Sequence, residues 1–182
     1  MKHIASRYIE YHERILRWQE SFGQFIDAPG QVENQRKYAA SEWGELFKSY
    51  MECDIKERAD GVGDVLFTVL GMPRKRVEFD IEFANVGILG VIQYICLANN
   101  WDQFDILERV CRSNDTKFWE TVDEVDLATC FYKPAGNGKF VVRRLSDNKV
   151  VKPKTFVPPD FSDIVNGTHV SSILARTAAP QA

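Results

Sequence analysis

The stretch SEWGELFKSYMECDIKERADGVGDVLFTVLG, residues 41–71, decides the fold. Its second part sets Ile55, Ala59, Val62, Leu66 and Val69 at four- and three-residue spacings, which predicts a helix over about 55–70 stopped by Gly71-Met72-Pro73. Its first part belongs to a helix predicted over about 34–52, so two helices follow each other across a very short link. Glu42 and Glu45 stand three apart, and Asp60 and Asp64 four apart, so each pair shares one helix face. Residues 42–64 hold seven acids against three bases. Antiparallel packing of the two helices brings the pairs together, where like charges repel. A hard divalent cation such as Mg²⁺, which takes carboxylate oxygens, relieves that repulsion. Asp64 precedes Val65-Leu66-Phe67 and Glu45 precedes Leu46-Phe47, a setting that turns acids inward. The alternative stays open: an ordinary solvated acidic face with ion pairs to Lys48 and Lys56. Di-iron chemistry requires Glu-x-x-His pairs, and none of His3, His12 and His169 stands in one.

Working outward, residues 4–22 place Ile4, Tyr8, Ile15, Trp18 and Phe22 on one face of a first helix. A loop with Asp27, Pro29 and Gly30 is predicted over 23–33. On the other side, residues 83–101 carry no charge. Their apolar centre is too short to cross a bilayer and predicts a buried fourth helix with no membrane span. A fifth helix over about 104–112 ends at Ser113-Asn114. Then the character changes. Gly136-Asn137-Gly138 reads as a turn, and residues 139–145 and 150–152 flank Ser146-Asp147-Asn148-Lys149 as a small hairpin. Pro153, Pro158 and Pro159 punctuate an extended segment after it. The expectation is an all-α helical bundle with a small C-terminal β-hairpin arm at about 136–155, one domain over 1–170, and a frayed tail over 171–182.

Composition agrees. At 182 residues the chain is about one domain long, with 45% hydrophobic and 27% charged residues, an ordinary globular balance. A net charge of -3 argues against a protein that wraps nucleic acid. Cys53, Cys96, Cys111 and Cys130 are too scattered for a zinc site or a staple framework, and read as reduced thiols in a cytoplasmic protein. The N-terminus lacks the apolar core of a secretory signal. Residues 133–154 hold seven bases and only Asp147, a semi-ordered basic arm that complements an acidic metal site if the ligand is a polyphosphate. A solvated charged hairpin is the plainer reading of the same run. Asn114 donates and accepts, and Lys117 offers a point charge three residues on; a helix C-terminus at Asn114 is compatible with both roles.

The stretch 41–71 resembles the MazG and phosphoribosyl-ATP pyrophosphohydrolase superfamily of all-α nucleotide pyrophosphatases, in the phage and bacterial branch whose second motif reads Asp-Gly-x-x-Asp. ERVCRSNDTK is similar to that branch's Ser-Asn-x-x-Lys block, and NKVVKPKTFVPPD to its lysine and Pro-Pro-Asp block. The resemblance implies an Mg²⁺-dependent (Mn²⁺ substituting) hydrolase that cuts a (d)NTP between the α- and β-phosphates, with a lean to a purine such as dGTP. It implies Glu42, Glu45 and Asp64 as catalytic groups, and Glu42, Glu45, Asp60 and Asp64 as metal ligands. Asn114, Lys117, Lys149 and Lys152 match substrate-binding positions, while Trp18 and Phe22 are candidates for walling the base. Two departures stand out: Ser41 and Gly61 occupy positions where the family often has Glu, and Asp60 is the candidate replacement for the second. A homodimer or homotetramer is expected, without stable nucleic-acid or membrane partners. The rivals are an all-α dUTPase and a non-enzymatic helical interaction module.

Overall fold

The computed structural model describes residues 2–82, 87–136 and 138–166. Asn137, residues 83–86 of the uncharged stretch, His169 and the expected frayed tail over 171–182 lie outside them. The described residues form seven helices and one two-stranded antiparallel sheet. In chain order these are α1 (Lys2–Ser21), α2 (Gln31–Met51), α3 (Ile55–Leu70), α4 (Arg74–Glu82), α5 (Ile88–Ala98), α6 (Gln103–Asp115), β1 (Cys130–Pro134), β2 (Phe140–Arg144) and α7 (Ser162–Val165). The mostly helical class with a small hairpin is therefore as expected.

Helix α3 is the axis of the molecule. Asp54 caps it, its carboxylate accepting from the backbone N–H of Lys56 and of Glu57, both at 3.0 Å. From Ala59 to Leu70 every side chain of α3 is buried except Asp60 and Asp64, which are half-buried. Two glycines make the close approaches possible. A Cβ on Gly61 would sit 3.0 Å from the Leu46 Cα of α2, and one on Gly63 would collide with Val110 Cγ2 of α6. At 100° per residue these two positions lie about 200° apart around the helix, so α2 and α6 pack on opposite sides of α3. Gly61 thus has a packing reason: a glutamate there has no room beside the α2 backbone.

Helix α1 lies across this layer. Tyr8, His12, Ile15, Gln19 and Phe22 form its buried stripe. The Tyr8 hydroxyl donates to Gln103 Oε1 at 3.1 Å, and the His12 ring meets the Leu70 carbonyl through Nδ1 at 2.7 Å. Arg14 pairs with Glu108 at 2.7 Å and Asp115 at 3.1 Å on α6. At the far end Arg109 grips the Asp163 carboxylate with two bonds of 2.6 and 2.8 Å, which fastens α7 to α6 and buries Phe161 beneath it.

Two expectations need correction. The uncharged stretch does hold a helix, α5 over Ile88–Ala98, but one face of it is exposed and not buried, and the preceding charged segment forms the unforeseen α4. Helix α4 buries only Val77 and Asp80 and is laced by Arg74–Glu78 and Arg76–Asp80 pairs one turn apart. The expected turn over 146–149 is present, with the Arg144 N–H donating to the Lys149 carbonyl and the Val151 N–H to the Val142 carbonyl, both at 2.9 Å, but the strand before it has its main partner elsewhere. β2 pairs with β1 in the register Cys130↔Arg144 to Pro134↔Phe140, while Val150 contributes only a single bridge to Arg143. Nor is it a loose arm. Val141 and Ala135 pack with Phe22 and Phe118 in a second small core. Among the described residues no helix is long and apolar enough to cross a membrane. Helix α5 nevertheless leaves Val91, Tyr94 and Leu97 on the surface, the last two about 70% exposed.

Replacing Gly63 by alanine should cost about 1–3 kcal/mol, because the new methyl has to push Val110 and Ile106 away. The shift of the urea midpoint at unchanged slope measures it.

Candidate functional site

Glu42 and Glu45 of α2 and Asp60 and Asp64 of α3 gather at the seam between the two helices, where Glu42, Asp60 and Asp64 each feel the charge of others in the set. Asp64 lies deepest. Burial first, then the charges of Asp60, Glu42 and Glu45, push its carboxyl up to about 7, with Lys117 opposing. Burial also raises Glu42, helped by Glu45 and Asp60. It raises Asp60 together with Glu57 and Glu45, against the pull of Lys152 and Lys117. Glu45 itself is exposed at the mouth.

Lys117 stands two residues beyond the end of α6 and faces Asp64, Glu42 and Asp60. Its ammonium is lowered mainly by burial, which the three acids only partly offset. Lys152, exposed on the segment after the hairpin, acts on Asp60 alone of the four acids, and its Nζ lies 4.1 Å above the Phe156 ring. Two elements distant in sequence therefore deliver the cations that face the acidic pairs. Asn114 is buried, and with Lys117 it lines a cavity of about 200 Å³ whose wall includes Glu42, Asp64 and Trp18.

Other sequence candidates fall elsewhere. Phe22 is buried in the second core, stacked on Trp18 at a ring distance of 4.1 Å, and does not line this cavity. Lys149 sits exposed in the turn after β2, its backbone N–H bound to Asp147. The seven-base run is also less bare than its own composition implies: Lys139 pairs with Glu120 at 2.6 Å and Lys154 with Glu124 at 2.9 Å, acids outside the run.

Sequence reasoning missed Gln19, Gln24, Gln35, Tyr38, Phe67 and Thr68, which also line the cavity. Gln19 and Gln35 are almost completely buried; Gln35 donates to the Thr68 carbonyl at 3.0 Å, while Gln19 Oε1 and Trp18 Nε1 have no partner. The available signal was a polar residue on an apolar stripe: Gln19 follows Ile15 by one turn.

No three His, Cys, Asp or Glu side chains among the described residues converge tightly enough to hold a metal ion as they stand. The donor set is nevertheless that of a hard cation, since every acid offers oxygen, no thiol or imidazole stands among them, and the half-buried carboxylates destabilise one another. Comparison with protein-family models, curated proteins and solved structures finds no significant match.

Asp64 gives the apo protein a pH signature. Between the ordinary carboxylate range and about 7 the folded form keeps the Asp64 proton that the unfolded chain has lost, so stability falls as pH rises across that interval. In EDTA the thermal midpoint should be lower at about pH 8 than at about pH 5, and Asp64→Asn should remove much of the difference.

Proposed function

We propose that the chain is a divalent-cation-dependent nucleotide pyrophosphohydrolase that converts a (d)NTP to a (d)NMP and pyrophosphate and thereby acts on nucleotide pools. The observation that supports this most is the cleft itself, with two carboxylate pairs from α2 and α3 facing Lys117 and Lys152. A merely solvated acidic face, the interaction-module alternative, leaves its acids in bulk water, whereas Asp64 and Glu42 are substantially withdrawn from it.

In this reading Glu42, Glu45, Asp60 and Asp64 hold Mg²⁺ or Mn²⁺. The bound ion supplies positive charge opposite the phosphate oxygens and makes water a better nucleophile. Lys117 and Lys152 bind the remaining phosphate oxygens and stabilise charge on the departing pyrophosphate. Glu45, the most accessible acid of the four, accepts the proton of the attacking water. The water oxygen bonds to the α-phosphorus, and the bond from that phosphorus to the bridging oxygen breaks. Asn114 and the indole of Trp18 hold the nucleoside in the adjoining cavity, for which we favour a purine. The exposed stripe of Val91, Tyr94 and Leu97 on α5 supports assembly into a homodimer or homotetramer, for which light scattering should give a mass at least twice that of the chain.

Pyrophosphate release across eight (d)NTPs, dUTP included, with Mg²⁺ or Mn²⁺ tests the activity. Glu45→Gln should lower kcat by about 10²–10⁴. Mg²⁺ should raise the melting temperature of the wild type and leave Asp64→Asn unmoved. No release with any substrate and either metal overturns the reading.

A further inference from the structure

A second cavity, of about 320 Å³, lies between the end of α1 and the hairpin, lined among others by Glu20, Phe22, Phe25, Lys133, Val141 and Arg143. In the β1–β2 register Phe131 opposes Arg143 and Lys133 opposes Val141, so these four side chains share one sheet face. Val141 pins that face against Phe22, which turns the two cations toward the end of α1.

Three half-buried arginines have no carboxylate partner among the described residues; Arg7 and Arg58 lie over the rings of Phe104 and Tyr50, each at 3.9 Å, whereas Arg143 has no ring so placed among them. Its half-buried guanidinium donates to two main-chain carbonyls, Asn148 at 2.9 Å and Phe22 at 3.3 Å, and forms no ion pair among the described residues. Lys133 has no ion pair there either. Charges withdrawn from water are ordinarily paired with an opposite charge. Every other arginine on α6 and β2 has a carboxylate: Arg109 has Asp105 and Asp163, Arg112 has Glu108, and Arg144 has Asp147. No carboxylate among the described residues lies within ion-pair distance of Arg143, although Glu20 lines the same cavity. The rest of the lining limits what an anion there carries. Phe25, about half exposed, offers a ring face beside the buried Phe22, and Glu20 offers acceptor oxygens to a hydroxyl or amino group.

We infer that this cavity is a ligand site distinct from the acidic cleft, which takes a phosphorylated small molecule of the nucleoside-monophosphate class. The phosphate lies on Arg143 and Lys133, the ring on Phe25, and the sugar hydroxyls toward Glu20. The site requires no metal and does not depend on the hydrolase reading.

Titration calorimetry in EDTA tests it, with AMP, GMP, CMP, ribose 5-phosphate and inorganic phosphate as probes. A nucleoside monophosphate should bind saturably to the wild type and equally well to Asp64→Asn. Arg143→Met and Lys133→Met should each weaken it about tenfold or more, the loss expected for one charge-assisted hydrogen bond. Phe25→Ala should weaken the nucleotide and leave ribose 5-phosphate unchanged. Lys133 and Phe25 are exposed, so those two variants read the site even if Arg143→Met fails to fold. Saturable binding absent for every probe overturns the inference, as does binding lost in Asp64→Asn. Inorganic phosphate binding as tightly as the nucleotides overturns the ligand class.

Discussion

The structure depends on how closely α3 is held between its neighbours. Gly61 lets the α2 backbone approach on one side, and Gly63 lets α6 approach on the other. Asp60 and Asp64 are on the same helix and inherit that crowding. Their carboxylates lie where water is scarce and face Glu42 and Glu45 across the narrow seam with α2. Isolated, such a gathering costs stability, since burial and like charge both oppose ionisation. Lys117, arriving just after α6, offsets only part of it. A fold that keeps these acids at one seam sacrifices stability for a polar interior.

Much of this was legible in the sequence because each signal was strong and local. The limits of α3 coincide with the expected ones because Asp54, an unbroken apolar period and Gly71-Met72-Pro73 all mark the same helix. The acid pairs were legible from spacing, since helix geometry alone puts three- and four-residue neighbours on one face. Helix α4 was not, because a helix that buries only Val77 and Asp80 has no apolar stripe to detect. The hairpin's main partner was missed because residues 146–149 do make a turn, and only the weaker pairing beyond it could be read from that signal. The stronger pairing partner, Cys130–Pro134, lies on the far side of the glycine turn.

The buried amides were missed for a related reason. Gln19 stands on the apolar stripe of α1, but a lone amide there does not name its partner, and only the packed structure brings Gln19 and Gln35 together beside Gly71. Charge counting along one segment failed in the same way. The basic run looked unopposed because its neutralising acids, Glu120 and Glu124, precede it in the chain and meet it only after folding. What remains uncompensated after folding is more informative than the original tally.

Trp119 has a mechanical consequence. Its backbone exchanges two hydrogen bonds of 2.8 Å with Phe140, and its indole nitrogen donates to the Val151 carbonyl at 2.8 Å. Lys117 lies two residues before this tryptophan, and Lys152 directly follows Val151. The two strips of chain that carry the positive side of the cleft are thus fastened here, and again where the Val157 N–H donates to Thr116 Oγ1 at 3.0 Å. The spacing between Lys117 and Lys152 is thereby set by packing and hydrogen bonds outside the cleft, not by the charges inside it.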